Sequence, residues 1–212
     1  MCDRRFNRVF GIGLSQTGTT SLDAALWHLG LTSRHNPDPA RMLAGDFSPI
    51  DDADAATDIA AAAVFRELDA AFPGSVFVLT VRDAESWLAS VTRHIGSLPD
   101  VLDGGPSGDL RRAVYGDARP SAEQLLAAYR SHLLRVMEQF EGRPADLLIM
   151  DITAGQGWDT LCPFLGIGRP EVAFPNANGA ADKGGRGSPY PARAQQVVTS
   201  ENFGRIFGKY AG

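Results

Sequence analysis

A short apolar run that passes into a helix through a glycine- and hydroxyl-rich loop is the feature that most restricts how this chain can fold. Val9-Phe10-Gly11-Ile12-Gly13-Leu14-Ser15-Gln16-Thr17-Gly18-Thr19-Thr20-Ser21-Leu22 predicts a buried strand over 8–13, a tight loop, and a helix over 18–30. A loop closing directly into a helix gathers free backbone N–H groups at one spot, where the helix dipole adds partial positive charge. Gly13 and Gly18 allow a sharp turn and close backbone approach, and Thr17, Thr19, Thr20 and Ser21 bring hydroxyl donors. The Gly13 to Gly18 spacing opens like the ATP-type phosphate loop G-x-x-x-x-G-K-[ST], but Thr19 stands at the lysine position. Either the segment is a plain strand-to-helix turn, or it holds a phosphorylated ligand other than the one an ATPase or kinase takes.

A second segment favours the ligand. Phe72-Pro73-Gly74 is a turn, Ser75 to Val81 an apolar strand, and Ala84 to Gly96 a helix with an acidic first turn. Arg82 closes the strand, and Ser90 lies about two turns into the helix at ~3.6 residues per turn. Both can face one ligand.

Together these segments resemble the sulfotransferases that use 3′-phosphoadenosine-5′-phosphosulfate (PAPS), in the branch with a T-G-T-T-S-L loop and a T-V-R-D strand end. The likeness runs from about residue 8 to 178 and takes in Glu67 to Gly74, Asp151-Ile152 and Phe164-Leu165-Gly166. The resemblance implies that Ser15, Gln16, Thr17, Gly18, Thr19, Thr20 and Ser21 hold the 5′-phosphosulfate, and that Arg82 and Ser90 hold the 3′-phosphate. It further implies sulfuryl transfer to a hydroxyl or amine of a small acceptor, with 3′-phosphoadenosine-5′-phosphate (PAP) as product and no metal. Members usually carry Lys or Arg just before T-G-T-T, where this chain has Gln16. Gln donates a hydrogen bond but cannot neutralise charge on the departing phosphate. Another cation, such as Arg34, Arg41 or Arg93, would have to substitute, or the chain is a slow, repurposed or non-catalytic nucleotide-binding homologue. A small-molecule kinase is a further alternative, against which Thr19 speaks.

Sulfuryl transfer also needs a proton acceptor. Asp58 stands where this branch places an acidic residue near the acceptor, and it equally suits a helix N-cap. His94 lies four residues after Ser90 on the same helix face; His28 and His35 have weaker claims, and His132 sits mid-helix as a structural residue. Asp83 reads as a helix cap, Asp151 as a ligand contact or ion-pair partner, and Trp87 and Trp158 as core.

The rest of the chain predicts a short strand at 32–35, helices at 38–45, 58–71, 84–96 and 121–141, a strand at 146–151 and a helix at 157–165. Strands alternating with helices imply a three-layer α/β fold of the P-loop type, with a central parallel sheet covered by helices on both faces. At 212 residues and 44% hydrophobic content, one domain over 1–212 is expected. A surface excursion is expected at 97–120, a Gly/Pro-rich loop at 166–191 and a terminal helix at about 192–210. A net charge of −5 gives no support for nucleic-acid binding. The two cysteines, far apart, suggest neither a disulfide framework nor a zinc site. Without a signal-peptide pattern or a run of about 18 apolar residues, a cytoplasmic protein off the membrane is expected.

Overall fold

The computed structural model describes residues 6–176. Its centre is a five-stranded sheet, entirely parallel, in the order β2-β3-β1-β4-β5. The strands are β1 (Val9–Gly11), β2 (Ser33–His35), β3 (Ala55–Thr57), β4 (Val76–Thr80) and β5 (Leu147–Met150). The helices are α1 (Thr19–His28), α2 (Pro39–Leu43), α3 (Ile59–Ala63), α4 (Phe65–Ala71), α5 (Ala84–Gly96), α6 (Gly105–Tyr115), α7 (Ala122–Gln139) and α8 (Trp158–Leu165).

Alternation along the strands divides the core between the two faces of the sheet. Phe10, Phe77 and Leu79 point to one side, where they join Trp87 of α5, Leu110 of α6, and Leu133 and Val136 of α7. Val9, Val78 and Met150 point to the other and meet Leu22 and Leu26 of α1 and Leu161 of α8. Both faces are thus covered, as a parallel sheet requires. No helix among the described residues is long and apolar enough to cross a membrane.

The chain leaves β1 for the β2 and β3 side of the sheet and returns to β4 on the opposite side. This reversal opens a crevice beyond the carboxyl ends of β1, β3 and β4, the usual ligand position in such sheets. The phosphate-type loop, Asp58 and Arg82 all follow those ends.

Two expectations need correction. The helix expected over 58–71 is two short helices broken at buried Val64, whose φ of −123° and ψ of 27° are not helical. It is also preceded by β3, whose Ala-Ala-Thr sequence carries little strand propensity and is held by burial between β1 and β2. Residues 97–120 do not form a surface excursion. They contain a 3₁₀ turn at Asp100–Asp103 and then α6, which buries Leu110, Arg111 and Tyr115. The buried Arg111 guanidinium donates to the carbonyls of Ala118 and Leu102 at 2.7 and 2.6 Å and to Asp103 at 3.1 Å. Arg119 then clamps Asp103 and Asp100, and the Arg119 guanidinium holds the Asp103 carboxyl below its ordinary range. Gly104-Gly105-Pro106 at the head of α6 and Gly116 after it read as loop in the sequence, although Leu110, Val114 and Tyr115 pack on the core.

The expected cap of α7 is present as a capping box, Ser121 with Gln124. Past α8, Val172 accepts the Trp158 indole N–H at 2.8 Å, and Phe174 packs edge-on to that ring. The remainder of the 166–191 loop and the terminal helix expected at about 192–210 lie outside the described residues.

Candidate functional site

Residues 12–18 join β1 to α1 and are fixed from within. The Thr17 hydroxyl donates to the Leu14 carbonyl at 2.7 Å and lies 2.6 Å from the Thr80 hydroxyl of β4. A Cβ on Gly13 would fall 1.9 Å from Thr80 Oγ1, so this glycine answers to the packing of the loop on β4. Gly18 has a φ of +103° and caps α1 without any side-chain hydrogen bond. The N-cap residue therefore offers no side chain of its own to the head of α1, a polarity suited to an anion. Trp87, fully buried, donates its indole N–H to the Ser15 carbonyl at 2.9 Å and stacks on Tyr129 with centroids 4.4 Å apart.

Gln16, at a φ of +72°, is where the two expected phosphate sites meet. The Ser90 hydroxyl donates to Gln16 Oε1 at 3.0 Å, and the Arg82 guanidinium reaches the Gln16 carbonyl at 3.4 Å. The Tyr129 hydroxyl secures the Arg82 backbone, accepting its N–H at 3.0 Å and donating to its carbonyl at 2.7 Å. Arg82 and Ser90 are thus placed together beside the loop. Arg34 and Arg41 are instead committed to Asp52 at 2.5 Å and Asp46 at 2.7 Å, and Arg93 is exposed. None of the three contacts Gln16 through a hydrogen bond among the described residues, whereas Arg82 does.

Asp58 does not use its side chain as a helix cap. Its φ of +80° turns the carboxylate toward the loop, where Oδ1 accepts the Thr19 hydroxyl at 2.8 Å and the Ser15 hydroxyl at 3.3 Å. Its Oδ2 lies 3.8 Å from Nε2 of His35, at the end of edge strand β2. Nδ1 of His35 is 2.9 Å from the Thr57 hydroxyl, which in turn donates to Asp23 at 3.3 Å.

The hydroxyls expected to face phosphate thus divide. Those of Thr17 and Thr19 are spent within the protein, Ser21 is buried, and Thr20 is exposed at the rim. Of the candidate catalytic residues, Gln16 and Asp58 lie at the loop. His94 is exposed on α5, and among the described residues no hydrogen bond of its ring joins it to the loop.

Tyr115, the last residue of α6, was not singled out from the sequence because it lies in the stretch read as an excursion. Its hydroxyl is buried beside Asp58 and makes no well-aligned hydrogen bond among the described residues, with Ser15 its nearest polar neighbour. Burial pushes its ionisation far up, and the Asp58 charge adds to the effect.

Other residues are structural, as expected for His132, Asp83 and Trp158 but not for Asp151, where a ligand contact or an ion pair is the expectation. His132 donates from Nε2 to the Ile12 carbonyl at 2.7 Å and packs edge-on to Phe65, and burial lowers its pKa to about 4. Asp83 caps α5 through the Ser86 N–H at 3.0 Å. Asp151 is a cap as well, accepting from Ala154 N–H at 2.9 Å and Thr153 Oγ1 at 2.7 Å. Burial pushes the Asp151 carboxyl up, against the pull of these donors and of the Arg82 charge. Trp158 is buried against Phe174.

With this geometry in place, a family model described as "Sulfotransferase domain" matches residues 8–182. The chain belongs to the sulfotransferase family. None of the curated proteins compared with it matches.

Proposed function

We propose that this protein binds PAPS and transfers its sulfuryl group to a hydroxyl or amine of a small acceptor. The observation that carries the assignment is the convergence of Arg82 and Ser90 on Gln16, inside a loop that feeds a helix capped by a glycine. The residues fit an anionic nucleotide. The head of α1 and Thr20 offer donors for the 5′-phosphosulfate, and Arg82 with Ser90 offers a cation and a hydroxyl for the 3′-phosphate. PAPS, when bound, supplies the activated sulfuryl group.

Gln16 supports a second assignment, a homologue that binds the nucleotide without turning it over, because a neutral amide stabilises a departing phosphate less than a cation does. Calorimetric titration with PAP, followed by single-turnover transfer from PAPS to phenols, alcohols and amines, separates the two. Binding with transfer supports the enzyme, binding without transfer supports the homologue, and absence of PAP binding contradicts both.

A further inference from the structure

We propose that His35 is the group that takes the acceptor's proton, through an Nε2 lone pair set by the Asp23–Thr57–His35 chain; this rests on the sulfotransferase assignment above.

A hydroxyl has one proton to give. Thr57 gives its own to Asp23 Oδ1 at 3.3 Å, and Asp23 is itself fixed by the Ser33 hydroxyl at 2.6 Å. With that proton directed to Asp23, the Thr57 oxygen becomes the acceptor in its 2.9 Å contact with His35, which assigns the imidazole proton to Nδ1. Nε2 is left with its lone pair on the loop side, 3.4 Å from the Thr20 hydroxyl and 3.8 Å from Asp58 Oδ2. This is the arrangement of an oriented general base, one ring nitrogen held by an orienting group and the other turned to the reaction.

The neighbouring carboxylate fits the same role. Asp58 Oδ1 already receives the Thr19 and Ser15 hydroxyls, while Oδ2 faces His35. A proton arriving on Nε2 creates a positive charge beside Asp58, which the carboxylate stabilises without taking the proton itself. The His35 side chain is about one-third exposed and that of Asp58 nearly buried, so the ring stands at the solvent-facing rim of the loop, open to an acceptor.

The step balances. The acceptor oxygen or nitrogen forms a bond to sulfur as its proton passes to Nε2. The bond from sulfur to the bridging oxygen of the 5′-phosphate breaks, its electron pair leaves with PAP, and the imidazolium afterwards releases its proton to solvent.

Two measurements test this. The first is ¹⁵N NMR of the His35 ring in the wild-type protein, with Thr57→Val as comparison. The expected result is the Nδ1–H tautomer in the wild type, shifting toward Nε2–H in T57V; an Nε2–H wild-type ring overturns the proposal whether or not the protein turns over. The second is transfer by His35→Gln to an alcohol and to a phenol acidic enough to be ionised at the assay pH, with PAP affinity measured alongside. A lost general base should cost about 10²–10⁴-fold with the alcohol and far less with the ionised phenol, at PAP affinity near wild type. Equal losses on both acceptors, or a loss traced to PAP binding, overturn the role. Wild-type protein that binds no PAP overturns the sulfotransferase assignment and this role with it, whereas PAP binding with the Nε2–H tautomer overturns this role alone.

Discussion

The Ser90 hydroxyl donates to the Gln16 side-chain carbonyl across 3.0 Å, so the residue standing where relatives usually carry a cation is held by a residue of the expected 3′-phosphate site. Two stretches 74 residues apart are thereby joined at one point of the loop. A lysine at position 16 would keep that contact with its direction reversed, since its ammonium can donate to Ser90 Oγ.

Gln16→Lys is therefore expected to fold normally and to raise the rate of transfer more than the affinity for PAP. On the proposed function the new charge would sit where negative charge grows during transfer, and a gain of about tenfold to a hundredfold corresponds to roughly 1.4–2.7 kcal/mol. Single-turnover transfer by wild type and Q16K, beside calorimetric PAP affinity, checks it. A flat or reduced rate in Q16K would mean that Arg82, already against the Gln16 carbonyl, supplies the charge.

Tyr115→Phe should stabilise the protein and slow it. A buried hydroxyl without a partner costs about 1–3 kcal/mol, and phenylalanine removes that cost at nearly constant volume. The hydroxyl lies beside Ser15 and Asp58, where a bound ligand would give it a partner, so transfer should fall by about two- to tenfold. Urea unfolding and the transfer assay on the same variant read both effects; a destabilised Y115F would mean that Ser15 already satisfies the hydroxyl, and a fully active one would place it outside the site.

His132 gives the fold a definite acid sensitivity. Its pKa is about 4 when folded against an ordinary 6.5, so below 6.5 the unfolded chain binds a proton that the folded protein refuses. The stabilisation is complete above pH 6.5 and is lost as the pH falls through about 4, to a total of about 3 kcal/mol. Urea midpoints between pH 7.5 and 4 should fall more steeply for wild type than for His132→Gln, which can still donate to Ile12. Parallel slopes would contradict this origin.

The elements that could be read in the sequence are those whose signal is local. β1, β4 and α7 carry continuous apolar runs or a capping box, and the loop and the Arg82–Ser90 pair follow from spacing on a strand-to-helix junction. β3 escaped notice because Ala55 and Ala56 become strand only through burial between two neighbours. Tyr115 escaped because Gly104-Gly105-Pro106 and Gly116 at the ends of α6 read as loop, while the helix is pinned to the preceding turn by Arg111. The grouping of His35, Thr57 and Asp23 depends on an edge strand pairing with a strand that was not foreseen.

Gly13 and Gly18 should fail for different reasons when substituted. Gly13→Ala places a Cβ 1.9 Å from Thr80 Oγ1 and 2.7 Å from the Thr80 carbonyl, so it should destabilise the fold by about 1–3 kcal/mol or more. Thr80→Ala in the same chain should recover only part, because the backbone contact remains. Gly18→Ala should cost about 1–2 kcal/mol, mainly from its φ of +103°. Thermal or urea unfolding checks all three, and a neutral G13A would contradict the packing of this loop on β4.

The central claim, that the loop and the Arg82–Ser90 pair form a site for an adenosine 3′,5′-bisphosphate, is tested most directly by calorimetric titration of wild type and Arg82→Ala with PAP and with 5′-AMP. Wild type should prefer PAP. R82A should lose roughly 1.5–3 kcal/mol of PAP affinity beyond any loss for 5′-AMP, the worth of a charged hydrogen bond, or about ten- to 150-fold. Equal losses for the two nucleotides, or a wild-type protein that does not distinguish them, would contradict the assignment.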